Sequence, residues 1–232
     1  MTIYLGIDDT DTRESRGTGR LARSIAAELA RTCQVTGVTR HQLFVHDAIP
    51  YTSHNSAAVI HIEVQADRCR EDILATGREM MIADFIDGSD PGVCIASHDQ
   101  VSPEIMAFGH RAKNTVLTQD DAYRSARERA IHLEGLGGTN DGIIGALAGV
   151  GLAASGNDGR FILRGRSREL AGQQEIATLL CSGIDEVRLS DGTPLTTGFV
   201  DIQKVPRPAL RAGKAVLFVE GDGGRYRDCV IG

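Results

Sequence analysis

The spacing of apolar residues over the first 97 positions alternates between the period of a strand and the period of a helix. Residues 2–7, 34–44, 57–64 and 93–97 have the composition and length of strands, whereas residues 17–32 and 67–86 repeat their apolar residues at helical spacing. The segments therefore follow the order βαββαβ, which is the split-βαβ pattern of a ferredoxin-like unit. We predict an α+β chain that begins with this unit.

Beyond residue 101 the pattern becomes helical and later breaks into short strands. Thr118 and Asp121 have the spacing of a capping box, which predicts a helix from there to about residue 133. A second helix is expected after a glycine-rich stretch, over about residues 142–154, and a hairpin over residues 215–231. We expect a ferredoxin-like unit at residues 1–112 and a smaller helix-rich α+β unit at residues 113–232.

Composition limits the classes of function that the chain can have. Aromatic residues make up 4% of the chain and Trp is absent, which excludes a platform of rings that stacks nucleic-acid bases. The formal net charge of −6 argues against nonspecific binding to duplex nucleic acid. No apolar run has the length of a membrane span, no signal peptide is recognisable and no CxxC pair occurs. We therefore expect a cytoplasmic protein that has no membrane partner and no zinc ribbon.

The strongest chemical signal is a cluster of acids directly after the first strand. Asp8, Asp9 and Asp11 place three carboxylates within four positions, where each raises the pKa of the others unless a cation is bound. Mg²⁺ takes carboxylate oxygens together with water and substrate phosphates, so we predict a magnesium site at these three residues. If the strand continues, Asp9 and Asp11 share a face and Asp8 points the other way. The alternative is a polar turn with no ligand.

A glycine-rich segment with a hydroxyl and two arginines begins the first helix. Its residues Arg16, Gly17, Thr18, Gly19 and Arg20 combine free backbone N–H groups with positive charge, which is typical of a phosphate site. The segment is not a P-loop, because GxxxxGK[ST] occurs nowhere in the chain. The alternative is that Thr18 simply caps the helix, and the two roles can coexist.

These residues carry a resemblance to a known family. The run from Gly6 to Asp11 (GIDDTD), followed by Thr18 and by Leu21-Ala22, resembles the N-terminal region of the archaeal tRNA-Ile agmatidine synthetases. Ile49-Pro50-Tyr51, before the strand at 57–64, is similar to a loop of that family, and residues 140–148 (NDGIIGALA) are similar to its glycine-rich helix.

The resemblance implies an ATP-dependent activity. Members of the family use ATP to activate a cytidine in the tRNA anticodon and join agmatine to it. Their N-terminal domain is kinase-like, acids of the motif serve Mg²⁺ and ATP, and the threonine that matches Thr18 is a site of self-phosphorylation. Together with the glycine-rich start of the first helix, this leads us to assign Thr10, Arg16, Gly17 and Gly19 to cofactor binding.

The chain also departs from the family. Members continue into an OB-fold and a Cys₄ zinc ribbon that grip the tRNA, and the cysteines of this chain cannot form that ribbon. Thr52-Ser53-His54-Asn55 stand where members have basic residues. We therefore expect the ATP chemistry to carry over, whereas tRNA is not favoured as a partner.

A second glycine-rich helix start lies at residues 135–142. Thr139 or Asn140 is expected to cap the helix, and exposed N–H groups near Gly142 favour a phosphate or substrate contact there. The alternative is close packing, because Gly142, Gly145, Gly149 and Ala153 form a face of small residues. On the strength of the resemblance we assign Asn140 and Gly142 to cofactor binding.

The resulting hypothesis is an enzyme that uses ATP and Mg²⁺ as a phosphotransferase or ligase. Asp8, Asp9 and Thr18 are the predicted catalytic residues, and the acceptor is expected to be a small molecule or a nucleotide. The alternative is a non-catalytic nucleotide-binding or regulatory module. A homo-oligomer is compatible with the sequence, which fixes no oligomeric state.

Overall fold

A computed structural model describes residues 1–12, 17–49, 55–65 and 69–230 of the 232-residue chain. The chain divides into two compact units, Met1–Ser155 and Gly156–Gly232. The boundary that the sequence suggested, after residue 112, falls inside the first of these units. Both helices and strands are present, so the predicted α+β class is confirmed. In the part of the chain that the structure describes, no helix has the length and apolar character needed to span a membrane.

The described residues of the first unit form five strands and five α-helices. These are β1 (Thr2–Asp8), α1 (Thr18–Leu29), β2 (Gln34–Gln42), β3 (Ser56–Glu63), α2 (Cys69–Ala83), β4 (Gly92–Ser97), α3 (Pro103–Arg111), α4 (Gln119–Glu128), β5 (His132–Gly135) and α5 (Gly142–Ala154). The first six follow the predicted order. The capping box of Thr118 and Asp121 is confirmed, but α4 ends at Glu128 and is followed by β5, which the sequence did not predict.

The five strands form an antiparallel sheet in the order β5-β4-β1-β3-β2. The end of β1 lies beside the beginning of β4, since Asp8 pairs with Gly92. It also lies beside the beginning of β3, since Ile7 pairs with Ala58. Residues that follow β1 and residues that precede β4 and β3 therefore meet at one edge of the sheet.

Helices cover both faces of this sheet. Alternate residues of β1 point to opposite faces. Tyr4 packs into a core that it shares with residues of α3, α4 and α5. Leu5 points to the opposite face, where it packs against Gly77 of α2: a Cβ on Gly77 would lie only 2.9 Å from Leu5 Cδ2. Helix α1 contacts α2. Each face of the sheet is therefore closed by helices, and the edge at the end of β1 is where a site can form.

Helix α5 is buried almost all round, and glycines let it approach the sheet closely. Every residue of α5 except Ile144 is buried, because the helix is apolar on all sides. A Cβ at Gly149 would lie 3.0 Å from both Ala57 Cβ and Val59 Cγ2, and one at Gly142 would overlap the carbonyl oxygen of Asp90. The predicted small-residue face is thus a packing surface.

The second unit consists mainly of short strands. It contains β6 (Arg160–Leu163), β7 (Gly172–Glu175), α6 (Ile176–Cys181), β8 (Glu186–Leu189), β9 (Pro194–Leu195), β10 (Phe199–Ile202), β11 (Ala209–Arg211), β12 (Lys214–Asp222) and β13 (Arg225–Asp228). Its core includes Ile176, Val200 and Leu217. The predicted final hairpin is present as the antiparallel pair β12 and β13. The unit is not helix-rich, which corrects the prediction, because the helices α3–α5 pack on the sheet of the first unit.

Replacing Gly6 with Ala is expected to lower the free energy of unfolding by about 1–3 kcal/mol, because overpacking forces the backbone apart. The new Cβ would lie 2.5 Å from the carbonyl oxygen of Ala146 and 2.8 Å from Val150 Cγ2, both on α5. Urea unfolding followed by circular dichroism measures the effect. Gly77→Ala is the comparison and should cost less, since its Cβ meets the end of a side chain, Leu5, rather than backbone, and alanine favours a helix by about 1 kcal/mol. Equal stability of Gly6→Ala and wild type would contradict the close packing of α5.

Candidate functional site

The acids after β1 do not continue the strand. β1 ends at Asp8, and Asp9 has a φ of 51°, in the left-handed region that few residues other than glycine adopt. The expected alternation, with Asp8 on the opposite face from Asp9 and Asp11, is therefore wrong. The turn at Asp9 instead brings all three residues to the wall of a single cleft. Strained backbone of this kind is concentrated at functional sites.

The cleft measures about 860 Å³ with its open mouth included. Its acidic part consists of Asp8, Asp9, Asp11 and Asp141, and the start of α5 contributes Gly142 and Gly145. Its apolar part comes from the segments after β2 and after α3 and from α5. It consists of Leu43, Ala48 and Ile49, of Ala112, Val116 and Leu117, and of Ile144 on α5. The cleft therefore combines four carboxylates with an aliphatic lining, as small-molecule sites commonly do.

Burial raises the pKa of Asp8 to about 8. The side chain is buried, with 9% of its surface exposed, and loss of hydration is the main cause of the shift. The nearby charge of Asp9 adds to it, while a hydrogen bond from the backbone of Asp9 opposes it. A Cβ at Gly145 would overlap Asp8 Oδ2, so the carboxylate fits only because α5 has a glycine there.

Three other acids act on Asp9. Its pKa is raised to about 6, mainly by burial and then by the charges of Asp90, Asp11 and Asp141, in that order. Asp8 and Asp9 are therefore held in surroundings that disfavour negative charge, and a bound cation would relieve this.

The hydroxyl of Thr18 lies in a chain of hydrogen bonds. Thr10 Oγ1 donates to Thr18 Oγ1 at 3.1 Å, and Thr18 Oγ1 donates to Asp11 Oδ1 at 3.0 Å. The N-cap of α1 is Gly17, with a φ of 81°, and no side chain caps the helix. The alternative role of Thr18 as the cap is therefore wrong. Its hydroxyl is instead directed at a carboxylate that lines the cleft.

The other residues predicted at the start of α1 lie around Thr18. Gly17 is close to Asp11, since a Cβ there would be 3.7 Å from Asp11 Oδ2. Thr10, Gly17 and Arg20 line a second cavity, of about 1150 Å³ with its opening. The carbonyl oxygen of Gly19 accepts a hydrogen bond from Arg23 Nη1 at 2.8 Å. Arg16 lies outside the described residues.

The start of α5 does not offer the free N–H groups that we expected. Gly142 N donates to Asp90 O at 3.0 Å, Ile143 N to Asn140 O at 3.2 Å, and Ile144 N to Asp141 O at 3.1 Å. The N-cap is Asp141 and no side chain caps the helix, so the expected cap by Thr139 or Asn140 is wrong. Asn140 has a φ of 67°, and its Oδ1 lies where a Cβ on Gly135 would be. Gly142 lines the cleft, but its amide is already used.

Two residues that the sequence did not assign complete this edge of the sheet. Asp90 precedes β4, and its carboxylate accepts a hydrogen bond from Thr139 N. Gln119 Nε2 donates to Asp141 Oδ1 at 2.7 Å and fixes that carboxylate at the cleft. The antiparallel pairing of β1 with β4 explains the place of Asp90, but the sequence pattern alone did not reveal which strands pair. Pro50, Tyr51 and His54 lie outside the described residues.

The donor chemistry of the cleft fits Mg²⁺, although no ready-made cage is present. The described residues contain no group of three His, Cys, Asp or Glu side chains that could hold a metal ion. Mg²⁺ is usually held by one or two carboxylates, with water and substrate phosphates as its other ligands. Carboxylates with raised pKa values are therefore suitable partners for it, and the predicted set of three remains a prediction.

Comparison with known proteins finds partial structural relatives. A crystal structure of a tRNA fluorescent labeling enzyme is 26% identical, with a TM-score of 0.56 over 65% of this chain and 36% of that one. Crystal structures of apo TiaS (a tRNA-Ile agmatidine synthetase) and of its complex with tRNA and ATP are each 25% identical over 65% of this chain. Their TM-scores are 0.55 and 0.56, and the match covers 35% and 36% of those chains. No protein-family model and no curated protein matches the chain.

The predicted resemblance to the agmatidine synthetases is thus confirmed as a partial one. This chain spans about a third of the length of the solved proteins that it resembles. Because the match is partial, the ligands of those proteins support a proposal about this chain and do not establish its function.

Asp8→Asn is expected to stabilise the protein in the absence of divalent cations, by about 1–3 kcal/mol at pH 8. The pKa of Asp8 is about 8 in the folded state against an ordinary 3.8, so the folded state holds more protons than the unfolded state between these values. Ionisation of Asp8 therefore lowers the free energy of unfolding progressively as the pH rises from about 4 to about 8. Asparagine does not ionise, so the variant avoids this loss.

Thermal unfolding in EDTA across that pH range measures this effect. Asp201→Asn, at an exposed position of β10 in the second unit, is the control and should show the pH dependence of the wild type. A stability gap between Asp8→Asn and wild type that does not grow with pH would contradict the burial of this carboxylate.

Proposed function

We propose that the chain is a Mg²⁺- and ATP-dependent phosphotransferase or ligase that is related to TiaS and acts on a small molecule or a nucleotide. The observation that carries the proposal is the hydrogen bond from Thr18 Oγ1 to Asp11 Oδ1, at the edge of a cleft lined by carboxylates. The solved TiaS complex with ATP supports a nucleotide in this fold. The sheet order β4-β1-β3-β2 supports the ferredoxin-like arrangement that the sequence suggested.

In this proposal Asp8, Asp9 and Asp11 are the residues that hold Mg²⁺. The ion would neutralise phosphate charge when bound. Asp8 is the firmest anchor of the three, because the packing of α5 fixes it in place. Asp9 and Asp11 lie on the turn beyond the strand and line the same cleft.

The start of α1 is the better of the two candidate phosphate sites. The first amides of a helix have no acceptor within the helix, and Gly17 lies next to Asp11. At the start of α5, in contrast, the amides of Gly142, Ile143 and Ile144 already donate to backbone carbonyls. We therefore assign the phosphates to Gly17, Thr18 and Gly19, and give Gly142 the role of a close-packed wall. Asn140 has the weakest support among the predicted cofactor residues.

Thr18 and Asp11 are arranged for phosphoryl transfer to the hydroxyl. Thr18 Oγ would form a bond to the γ-phosphorus of ATP while the bond from that phosphorus to the β-phosphate oxygen breaks. The hydroxyl proton would pass to Asp11 Oδ1, to which it already donates, and ADP would leave. Thr10 holds the hydroxyl from the other side. The role of the enzyme in such a step is positioning.

The acceptor is proposed to be small or to be a single nucleotide. The net charge of −6 disfavours a large polyanion unless another chain contributes positive charge. The solved TiaS complexes hold tRNA, so tRNA is included among the acceptors to be tested.

Incubation with Mg²⁺ and γ-³²P-labelled ATP is expected to label the wild-type protein on Thr18, as located by mass spectrometry of the labelled peptide. Thr18→Val keeps the shape of the side chain without the hydroxyl and should lose the label completely. Asp8→Asn should reduce labelling by about 100-fold or more, because it removes a carboxylate that would hold the Mg²⁺ ion, whose charge would neutralise the phosphates. Thr32→Val, at the end of the segment after α1, is the matched control and should be labelled normally.

Three outcomes separate the hypotheses. Label on Thr18 supports the phosphotransferase. Tight ATP binding without labelling or turnover, in the presence of small molecules, nucleotides and tRNA, would instead favour the non-catalytic nucleotide-binding module. If the wild type does not bind ATP at all, both nucleotide hypotheses are wrong.

Thr10→Val is expected to lower the labelling rate by about 3- to 10-fold, without abolishing it, because one hydrogen bond of ordinary strength is lost. Thr18 would keep its bond to Asp11 but would lose the donor that fixes its orientation. Rates of label incorporation at saturating ATP measure the effect. A rate equal to that of the wild type would show that Thr10 does not position the hydroxyl.

A further inference from the structure

The cleft has a part that neither the phosphates nor a cation would fill. Leu43 and Ile49 follow β2, and Val116 and Leu117 follow α3, and together they offer aliphatic walls. A flat, weakly polar heterocycle suits such a lining, whereas a phosphate does not. If a nucleotide places its phosphates near Asp11 and Gly17, this apolar part is where its base would lie.

Asn55 contributes a polar group of fixed orientation to the same cleft. Its Nδ2 donates to Phe44 O at 2.7 Å. Its backbone oxygen accepts from Leu43 N at 2.9 Å and from Gln42 Nε2 at 2.7 Å. Because a carbonyl oxygen only accepts, the amide atom that faces Phe44 O has to be the nitrogen. The atom left for a ligand is therefore Asn55 Oδ1, an acceptor.

The other uncharged polar side chains of the cleft are already engaged. Ser56 Oγ accepts from Arg40 Nε at 2.8 Å, and Thr115 Oγ1 donates to Asn114 Oδ1 at 3.1 Å. No donor to Asn55 Oδ1 occurs among residues 1–12, 17–49, 55–65 and 69–230. A ligand that presents a donor at this point would satisfy it.

We propose that Asn55 determines which nucleobase the cleft accepts, by receiving a hydrogen bond from an exocyclic amino group. The inference rests on the proposed function, since it assumes that a nucleotide binds here. Adenine carries an amino group at its 6-position, which donates to Asn55 Oδ1. Hypoxanthine and guanine carry an oxygen there, which would place two acceptors against each other and leave both unsatisfied. The site therefore selects 6-amino purines over 6-oxo purines.

Isothermal titration calorimetry of the wild-type protein with Mg²⁺–ATP and with Mg²⁺–inosine triphosphate tests the selection directly. Inosine triphosphate has the same ribose and phosphates as ATP, and its purine differs by the oxygen at the 6-position and the hydrogen on N1. We expect ATP to bind about tenfold more tightly than inosine triphosphate. ATP gains a hydrogen bond to Asn55 Oδ1, whereas inosine triphosphate leaves that acceptor unpaired.

Asn55→Ala and Asn55→Leu should reduce the ratio of the two affinities to about twofold or less, because neither side chain has an acceptor. The leucine variant keeps the volume of the side chain, so agreement between the two variants separates loss of the acceptor from loss of packing. Gln34→Ala is the control, an exposed amide side chain at the start of β2 that does not line the cleft, and it should keep the wild-type ratio.

The outcomes are distinguishable from failure of the proposed function. Equal affinity of the wild type for the two nucleotides, or an unchanged ratio in both Asn55 variants, would overturn this inference and leave ATP binding standing. Weaker binding of both nucleotides by the same factor would mean that Asn55 only supports the loop, and would also overturn it. If neither nucleotide binds to the wild type, the proposed function fails and this inference fails with it.

Discussion

The close approach of α5 to the sheet is the contact on which the rest of the first unit depends. Gly145 leaves the space that Asp8 Oδ2 occupies, and Gly6 on β1 leaves the space for the carbonyl of Ala146. The same packing that completes the hydrophobic core therefore also removes water from a carboxylate. The raised pKa of Asp8 follows from this burial. Core and site cannot vary independently here, because a side chain at position 145 would displace the acid.

A second constraint acts through the hydroxyl of Thr18. A hydroxyl has one proton to give, and here it is directed at Asp11 while a lone pair receives the proton of Thr10. Two residues of the turn after β1 thus fix the first residue of α1. The proposed phosphoryl transfer depends mainly on position and charge, so a hydroxyl that is oriented before a nucleotide arrives would serve it better than a mobile one.

Much of the fold could be predicted from local pattern, because its elements have clear periods. The βαββαβ order, the capping box at Thr118 and the helix α5 all follow from short stretches of sequence. β5 escaped prediction because four residues carry too little periodic signal. The prediction of a helix-rich second unit failed for another reason. Helix α5 is apolar on all sides and has to be buried, and the sheet that buries it is formed by strands earlier in the chain.

The site was predictable as a motif but not as a geometry. The acids of residues 8–11 and Thr18 were found because their chemistry is concentrated in one segment. Asp90 was missed because strand pairing brings it there. The α5 amides were misjudged for the same reason, since the carbonyl that occupies Gly142 N comes from Asp90. The backbone of Asp9 is left-handed, so the side chains of Asp8, Asp9 and Asp11 do not alternate as they would in a strand. The residue type alone does not reveal this conformation.

The negative charges of Asp8 and Asp9 link the stability of the folded protein to binding of the proposed cation. Asp8 and Asp9 have raised pKa values, so without a cation the folded protein reduces their repulsion by holding protons. A cation bound at these carboxylates has to compete with those protons, so binding releases them and strengthens as the pH rises. For Asp8 in the proposed magnesium site, the cost of ionising the carboxylate and its affinity for a cation thus have a single source, its burial under α5. A variant that removes the cost by neutralising Asp8 therefore also removes the attraction for the cation.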